Sequence, residues 1–434
     1  LRVPQGVRTV LDAATSVNAG SRYRSVIGFA HDLARCRDEL RSTEMCSPFA
    51  PSIDGFALWW RDPVHVLGAE SSLAVLAECV LEVQETRRPA VLVVEGPAGA
   101  GRSALLGAFD RYLRAHGVLS AGARFSADGT LPLAAPSALV ADVVDRLMAG
   151  QPGARDGVAA ELRARLGDDL PLAVQLAPAL ESLVGRQPEM PAVAAPQILA
   201  RAEQAAKGIV GALAGSGRSF VALFDDAECA DPSSLAVFES VVALSEPMLV
   251  VVARRTDAEA HGLLETLDAM RAAGVPTRTL AIPPLDRSSM HEMIGDGLGL
   301  SDGSGAALAN ALWSRSGGNP GLAISDLHTL LVDGDLQVDP TTASWSWSAM
   351  ALTERPSAGV AEVALQRVRR VSPAPRLVLQ AAAAVAGLLA RPTVLAFAID
   401  HSVDTVTAML DRLSAEQFLD WRGTGVVRFR DDAL

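Results

Sequence analysis

AVLVVEGPAGAGRSALL, residues 90–106, joins an apolar run to an apolar helix through a glycine-rich loop. The run Ala90–Val94 reads as a buried strand. The loop Gly96-Pro97-Ala98-Gly99-Ala100-Gly101-Arg102-Ser103 has the spacing G-x-x-x-x-G-K-[ST], with Arg102 at the lysine position. Glycines let the backbone bend so that successive N–H groups converge on phosphate oxygens. A helix beginning near Arg102 adds its positive N-terminal end. Gly96, Pro97, Ala98, Gly99, Ala100, Gly101, Arg102, Ser103 and Ala104 are therefore candidates to cradle phosphate. The Ser103 hydroxyl stands where such a loop meets Mg²⁺. A glycine-rich turn alone needs no ligand, but placed between a buried strand and a helix it points to nucleotide binding.

Arg102 separates binding from hydrolysis. Lysine reaches phosphate as a compact point charge, whereas arginine is planar, forked and bulkier. The chain has a single lysine, Lys207, so Arg102 also fits a general bias toward arginine. The reading is retained but weakened binding with poor hydrolysis.

FVALFDD, residues 220–226, is an apolar strand ending in acid. Open parallel sheets bind ligands at the carboxyl ends of their strands. Asp225 is the candidate Mg²⁺ partner and Asp226 the candidate to orient the attacking water. MLVVVARR, residues 248–255, places Arg254 at the end of the next strand, as a candidate γ-phosphate sensor or a surface arginine. SRSGGNPG, residues 314–321, is a helix-start turn in which Pro320 is a candidate to pack on a nucleotide base.

Around these motifs strands alternate with helices. An amphipathic helix at about Ser71–Glu85 precedes the first strand, and a second strand falls within Val118–Ser126. Residues 132–214 hold four or so helices. Further strands are expected at Phe220–Phe224, Met248–Ala253 and Thr277–Ile282. Alternation of this kind implies a parallel sheet covered on both faces. Leu285–Leu336 reads as a short helical bundle, followed by a polar connection with Trp345 and Trp347. Val360–Leu413 reads as three helices. Phe418–Arg422 and Val426–Arg430 read as a hairpin around Gly423-Thr424-Gly425. Three helices and a hairpin form a winged-helix pattern. Its last helix, about Val403–Gln417, carries Asp404, Asp411 and Glu416 against Arg412 alone, so it suits packing better than phosphate contact. Upstream, Val10–Cys36 reads as helical, and Trp59-Trp60 as an anchor in a core or an interface.

The net charge of −12 argues against a nucleic-acid clamp. Cys36, Cys46, Cys79 and Cys229 lack metal-ligand spacing and read as reduced thiols of a cytoplasmic protein. The most apolar stretch, Leu377–Ala390, is too short to span a bilayer, and no signal peptide is visible. The chain starts at Leu1 and ends within RFRDDAL, so it is expected to be a piece of a longer protein.

In this order the motifs resemble the nucleotide-binding core of the STAND class of signal-transduction ATPases, and in particular the large ATP-binding LuxR-type regulators of actinobacteria. The resemblance covers about residues 64–434. It rests on VLGAESSLAVL (66–76), EGPAGAGRSALL (95–106), FDDAECADPSSL (224–235), IPPLDRSSMHEMI (282–294), SRSGGNPG (314–321), VRRVSPAPRLVLQAAAAVAG (368–387) and VVRFRDDAL (426–434). The chain departs from the family at Ala69 for arginine, Arg102 for lysine, Glu228-Cys229 for His-Trp, and Asp431 for histidine.

The expected architecture is α/β. An unassigned segment (1–62) precedes a P-loop NTPase core with a parallel sheet (63–283), a small helical domain (284–340) and a winged-helix domain (353–434). The expected ligands are ATP or ADP with Mg²⁺, held at the junction of three domains. The expected role is a nucleotide-dependent switch module of a transcriptional regulator in the cytoplasm, with no membrane contact. Its partners would be adenine nucleotide, a second copy or another protein, and DNA only through a region beyond residue 434. Two alternatives stand beside it, a working ATPase and a pseudo-ATPase scaffold for a protein partner.

Overall fold

The computed structural model describes residues 3–16, 23, 26–43, 46, 49, 51, 66–126, 132–150, 152–188, 195–215, 218–244, 246–299, 305–338, 345–348, 352, 368–369, 371, 373–385, 391–415, 418–420 and 427–429. Trp59, Trp60, Glu416, the Gly423-Thr424-Gly425 turn and Asp431 lie outside the described residues. The chain divides into two units, Gly68–Pro283 and Leu1–Leu67 with Pro284–Leu434.

The stretch Val10–Cys36, read as helical, takes in parts of two helices, α1 (Gln5–Ala14) and α2 (Val26–Thr43). The first stops at Thr15, whose N–H and hydroxyl both return to Leu11 O. Val10, Cys36 and Cys46 form a small buried cluster there. Burial, with the Cys46 thiol alongside, pushes the Cys36 thiol up to about 12.

The Gly68–Pro283 unit is an α/β layer structure. In chain order it contains α3 (Glu70–Thr86), β1 (Ala90–Gly96), α4 (Arg102–Ala115) and β2 (Leu119–Arg124). Then come α5 (Ala134–Ala149), α6 (Pro152–Leu166), α7 (Leu170–Leu176), α8 (Glu181–Val184) and α9 (Ala195–Ala214). It closes with β3 (Phe220–Asp225), α10 (Pro232–Val242), β4 (Met248–Arg255), α11 (His261–Ala272) and β5 (Thr277–Ala281). The five strands form one parallel sheet in the order β2-β3-β4-β1-β5. The three central strands are near-continuous apolar runs because helices cover both faces of the sheet. β5, at the edge, carries Thr277, Arg278 and Thr279, which keep that edge polar. β1 and β4 run two residues beyond their expected ends, because Glu95 pairs with Arg254 and Gly96 with Arg255 in register. That extension brings the loop after β1 level with the acidic end of β3.

The other unit continues with α12 (Arg287–Leu298), α13 (Ala306–Ser316) and α14 (Pro320–Asp333). They pack around Met290, Ile294, Leu312, Leu327 and Leu330. Gly318 (φ 83°) is fixed by close approach, since a Cβ there would lie 2.4 Å from Leu285 O. Asn319 caps α14 by accepting from Leu322 N–H at 3.0 Å, with Pro320 at its first turn. The polar connection expected around the tryptophans is in fact paired structure. β7 (Trp345–Trp347) runs antiparallel to β6 (Leu336–Val338), with Trp345 and Trp347 packed against the helical core. Alternation over only three residues is too short to recognise in the sequence. Last come α15 (Pro373–Val385), α16 (Pro392–Ala398), α17 (Val403–Ala415) and the antiparallel pair β8 (Leu419–Asp420) and β9 (Arg428–Phe429). Val378, Leu395, Leu410 and Leu413 fill their core. No single helix among the described residues is long and apolar enough to cross a membrane.

Candidate functional site

The loop after β1 folds as its glycines require. Gly99 (φ 77°) and Gly101 (φ 93°) occupy left-handed conformations. A Cβ on Gly96 would lie 2.9 Å from the Ala100 side chain. Gly101 caps α4, so Arg102 and Ser103 are its first two residues.

Arg102 is turned inward and only 7% exposed. Its Nη1 donates to Gly96 O at 2.7 Å and Pro97 O at 3.3 Å. Its Nη2 lies 3.5 Å from Asp226 Oδ1. Ser103 Oγ donates to Asp225 Oδ2 at 2.5 Å. The hydroxyl that opens the helix and the carboxylate that ends β3 thus meet directly.

Asp226 carries the strain of the site. It is 4% exposed and left-handed (φ 51°), a conformation that aspartate adopts more readily than most residues. Its N–H donates to Asp225 Oδ1 at 3.1 Å. Arg124 Nε lies 2.5 Å from Asp226 Oδ2, and Arg124 Nη2 lies 3.6 Å from Asp225 Oδ2. Despite two nearby guanidiniums, neither Asp226 oxygen has an aligned hydrogen bond, and Arg102 Nε has none either. Burial, reinforced by the like charge of Asp226, raises the Asp225 carboxyl above the ordinary range; Ser103 and Arg124 oppose this.

The strand after the acids is also occupied by its own neighbours. Arg254 Nε and Nη2 both lie 2.8 Å from Glu95 Oε1 on β1. The Arg255 N–H donates to Glu228 Oε2 at 3.0 Å, so Glu228 anchors the end of β4. Arg255 pairs with Asp257 at 3.1 Å. Its hydrogen bonds hold the Asp257 carboxyl below the ordinary range, and the Ala98 N–H adds to them. Four guanidiniums (Arg102, Arg124, Arg254, Arg255) therefore lie among five carboxylates (Glu95, Asp225, Asp226, Glu228, Asp257). The formal balance is one negative charge.

The fold thus gathers Gly96–Ala104, Asp225, Asp226 and Arg254 at the carboxyl ends of β1, β3 and β4. Pro320 lies in the other unit, at the start of α14. Arg124 escaped the sequence reading. It ends β2, and only the register that sets Arg124 opposite Asp225 gives it a role. No group of three or more His, Cys, Asp or Glu among the described residues could cage a metal. Ser103 Oγ and Asp225 nevertheless suit Mg²⁺, which is held by one or two carboxylates together with phosphates rather than by an all-protein cage.

Residues 66–252 match the family model of the AAA ATPase domain, and this stretch contains the loop, Arg124 and the acidic pair. No curated protein matches the chain. Among solved structures, the Aeropyrum pernix ORC1 protein in complex with DNA is 13% identical, with 87% of this chain and 93% of that one covered and a TM-score of 0.38. The STAND protein with a tetratricopeptide repeat sensor from Pyrococcus horikoshii is 9% identical, with 86% of this chain and 42% of that one covered and a TM-score of 0.42. Drosophila ORC bound to DNA is 13% identical, with 92% and 97% covered and a TM-score of 0.40.

Proposed function

We propose that this chain is an ATP-binding switch module of a LuxR-type transcriptional regulator, in which nucleotide state controls domain closure and assembly in the cytoplasm. The observation that carries the nucleotide reading is the Ser103 hydroxyl in contact with the Asp225 carboxylate beside a strand–glycine loop–helix. In this reading residues 63–283 hold the nucleotide, 284–340 are a helical domain and 353–434 a winged helix. Pro320 would approach the base.

The residues divide as follows. Gly96–Ala104 present backbone N–H groups and the start of α4 to phosphate. Ser103 and Asp225 supply the oxygens for Mg²⁺, which when bound brings positive charge to the phosphates. Asp226 accepts from the attacking water if hydrolysis occurs. Arg254 must leave Glu95 to reach a γ-phosphate. Because the surrounding side chains carry one net negative charge and each cation already has a carboxylate partner, phosphate binding depends strongly on Mg²⁺.

Calorimetric titration of ATP and ADP, with and without Mg²⁺, tests this. Heat and a thermal shift that require Mg²⁺ are expected. Folded protein that gives neither at millimolar nucleotide refutes the reading. One observation favours a second reading, a pseudo-ATPase scaffold that binds a protein partner. The Arg102 guanidinium is already spent on Gly96 O, Pro97 O and Asp226. The same titration separates the two.

A further inference from the structure

On the sheet face carrying Phe220, Ala222 and Phe224 of β3 and Met248 and Val250 of β4, the Gly68–Pro283 unit contains a cavity of about 90 Å³. Helices α5, α9 and α10 roof it, and the side chains of its floor are buried. It exists because α9 presents Ala202, Ala205 and Ala206 to the sheet where larger residues would close the gap. Ser137 is the one polar side chain among the described residues that line it.

An apolar void costs stability in proportion to its volume, and two features set this one apart from an ordinary packing gap. First, Leu133, half-buried beside it at the start of α5, is held left-handed (φ 64°), a strained conformation for a leucine. Second, the lining reaches the end of the sheet that carries Asp225. Phe224 lines the cavity and immediately precedes Asp225. It packs on Phe238 (ring centroids 4.5 Å) and on Phe125 (5.5 Å), the residue after Arg124.

We propose that this cavity is a binding site for an uncharged apolar molecule of about one ring in size. The lining excludes ions and offers water no set of polar partners. Apolar cavities of roughly 150 Å³ stay dry and take up benzene. Here the half-buried rim at Leu133, Ala206 and Val210 gives a ring room beyond the enclosed volume. The volume is well below the ~300 Å³ at which pockets for drug-sized ligands begin, which restricts the occupant to a single ring or a short alkyl chain.

Benzene is the probe, used with nucleotide-free protein so that the outcome does not depend on the nucleotide reading. Benzene is expected to raise the melting temperature progressively with concentration, and benzoate, of similar shape but charged, is expected not to. Ala206→Phe, which fills the cavity, should abolish the benzene effect. Ala206→Met provides a milder filling should the phenylalanine variant fold poorly. Nuclear Overhauser effects from benzene to the Ala205 and Ala206 methyls of the wild-type protein locate the site without any variant. Absence of a benzene-induced shift overturns the proposal. So does a shift that persists in a folded filled variant, or one without Overhauser effects at these methyls.

Discussion

Arg102→Lys separates two uses of one cation. In the free protein the guanidinium donates to Gly96 O at 2.7 Å and Pro97 O at 3.3 Å, beside Asp226 at 3.5 Å. A phosphate that draws this charge outward breaks those contacts. A hydrogen bond from a charged donor is worth roughly 1.5–3 kcal/mol net, and the shorter of the two carries most of it. A lysine ammonium lacks the fork that spans carbonyl and carboxylate together. Losing one such bond should cost the nucleotide-free protein ~1.5 kcal/mol, which lowers the melting temperature by about 3–6 °C in a unit of roughly 200 residues. Returned on binding, the same energy tightens ATP about tenfold. Turnover, if present, should rise too, because the ammonium can follow charge developing on the γ-phosphate. Scanning calorimetry without nucleotide and titration calorimetry with Mg²⁺–ATP measure both halves. If the variant melts like the wild type and binds ATP no better, Arg102 is not the limiting feature. Attention then moves to Ala69, Glu228 and Cys229.

Other substitutions probe the acidic pair and its surroundings. Asp225→Asn should abolish most of the Mg²⁺ dependence of nucleotide binding, whereas Asp226→Asn should leave it and lower only hydrolysis; equal loss in both would refute the division. Because burial raises the Asp225 carboxyl, its ionised form is a cost in the free protein. Stability therefore falls as pH rises from the ordinary carboxylate value, ~4, through the raised one. Asp225→Asn should remove this fall, and an unchanged pH slope in its melting curves counts against the assignment. Asp110 has the opposite sign. Burial alone would raise it, but hydrogen bonds from Arg146, Ser120 and Arg114 outweigh burial and lower it. Its stabilisation is complete above the ordinary value of ~4 and is lost as pH falls through the lowered one. Asp110→Asn should cost roughly 1.5–3 kcal/mol at neutral pH and little in strong acid, as read by chemical denaturation at both pH values; an equal cost at each would refute it. Finally, residues 1–434 should not retard promoter DNA specifically at physiological salt, because α17 carries Asp404 and Asp411 against Arg412; a sequence-specific shift would refute this.

Local sequence was enough to read the central strands and the loop. Apolar runs at 90–94, 220–224 and 248–253, short and bounded by glycine, acid or arginine, read as strands buried on both faces. Glycines at 96, 99 and 101 admit few backbone paths between strand and helix. Local chemistry also placed Ser103 at the helix start and Asp225 at a strand end. Tertiary structure decided what these groups touch. The direction of the Arg102 guanidinium depends on Asp226, more than a hundred residues away. Arg124 becomes part of the site only because β2 lies beside β3 in a register that sets it opposite Asp225. The pairing of Arg254 with Glu95 likewise follows from β1 lying beside β4. Strand order and register are set by summed packing over whole elements, so no window of sequence contains them. Charge balance at the site is a sum over such non-local pairs and is visible only once the sheet has assembled.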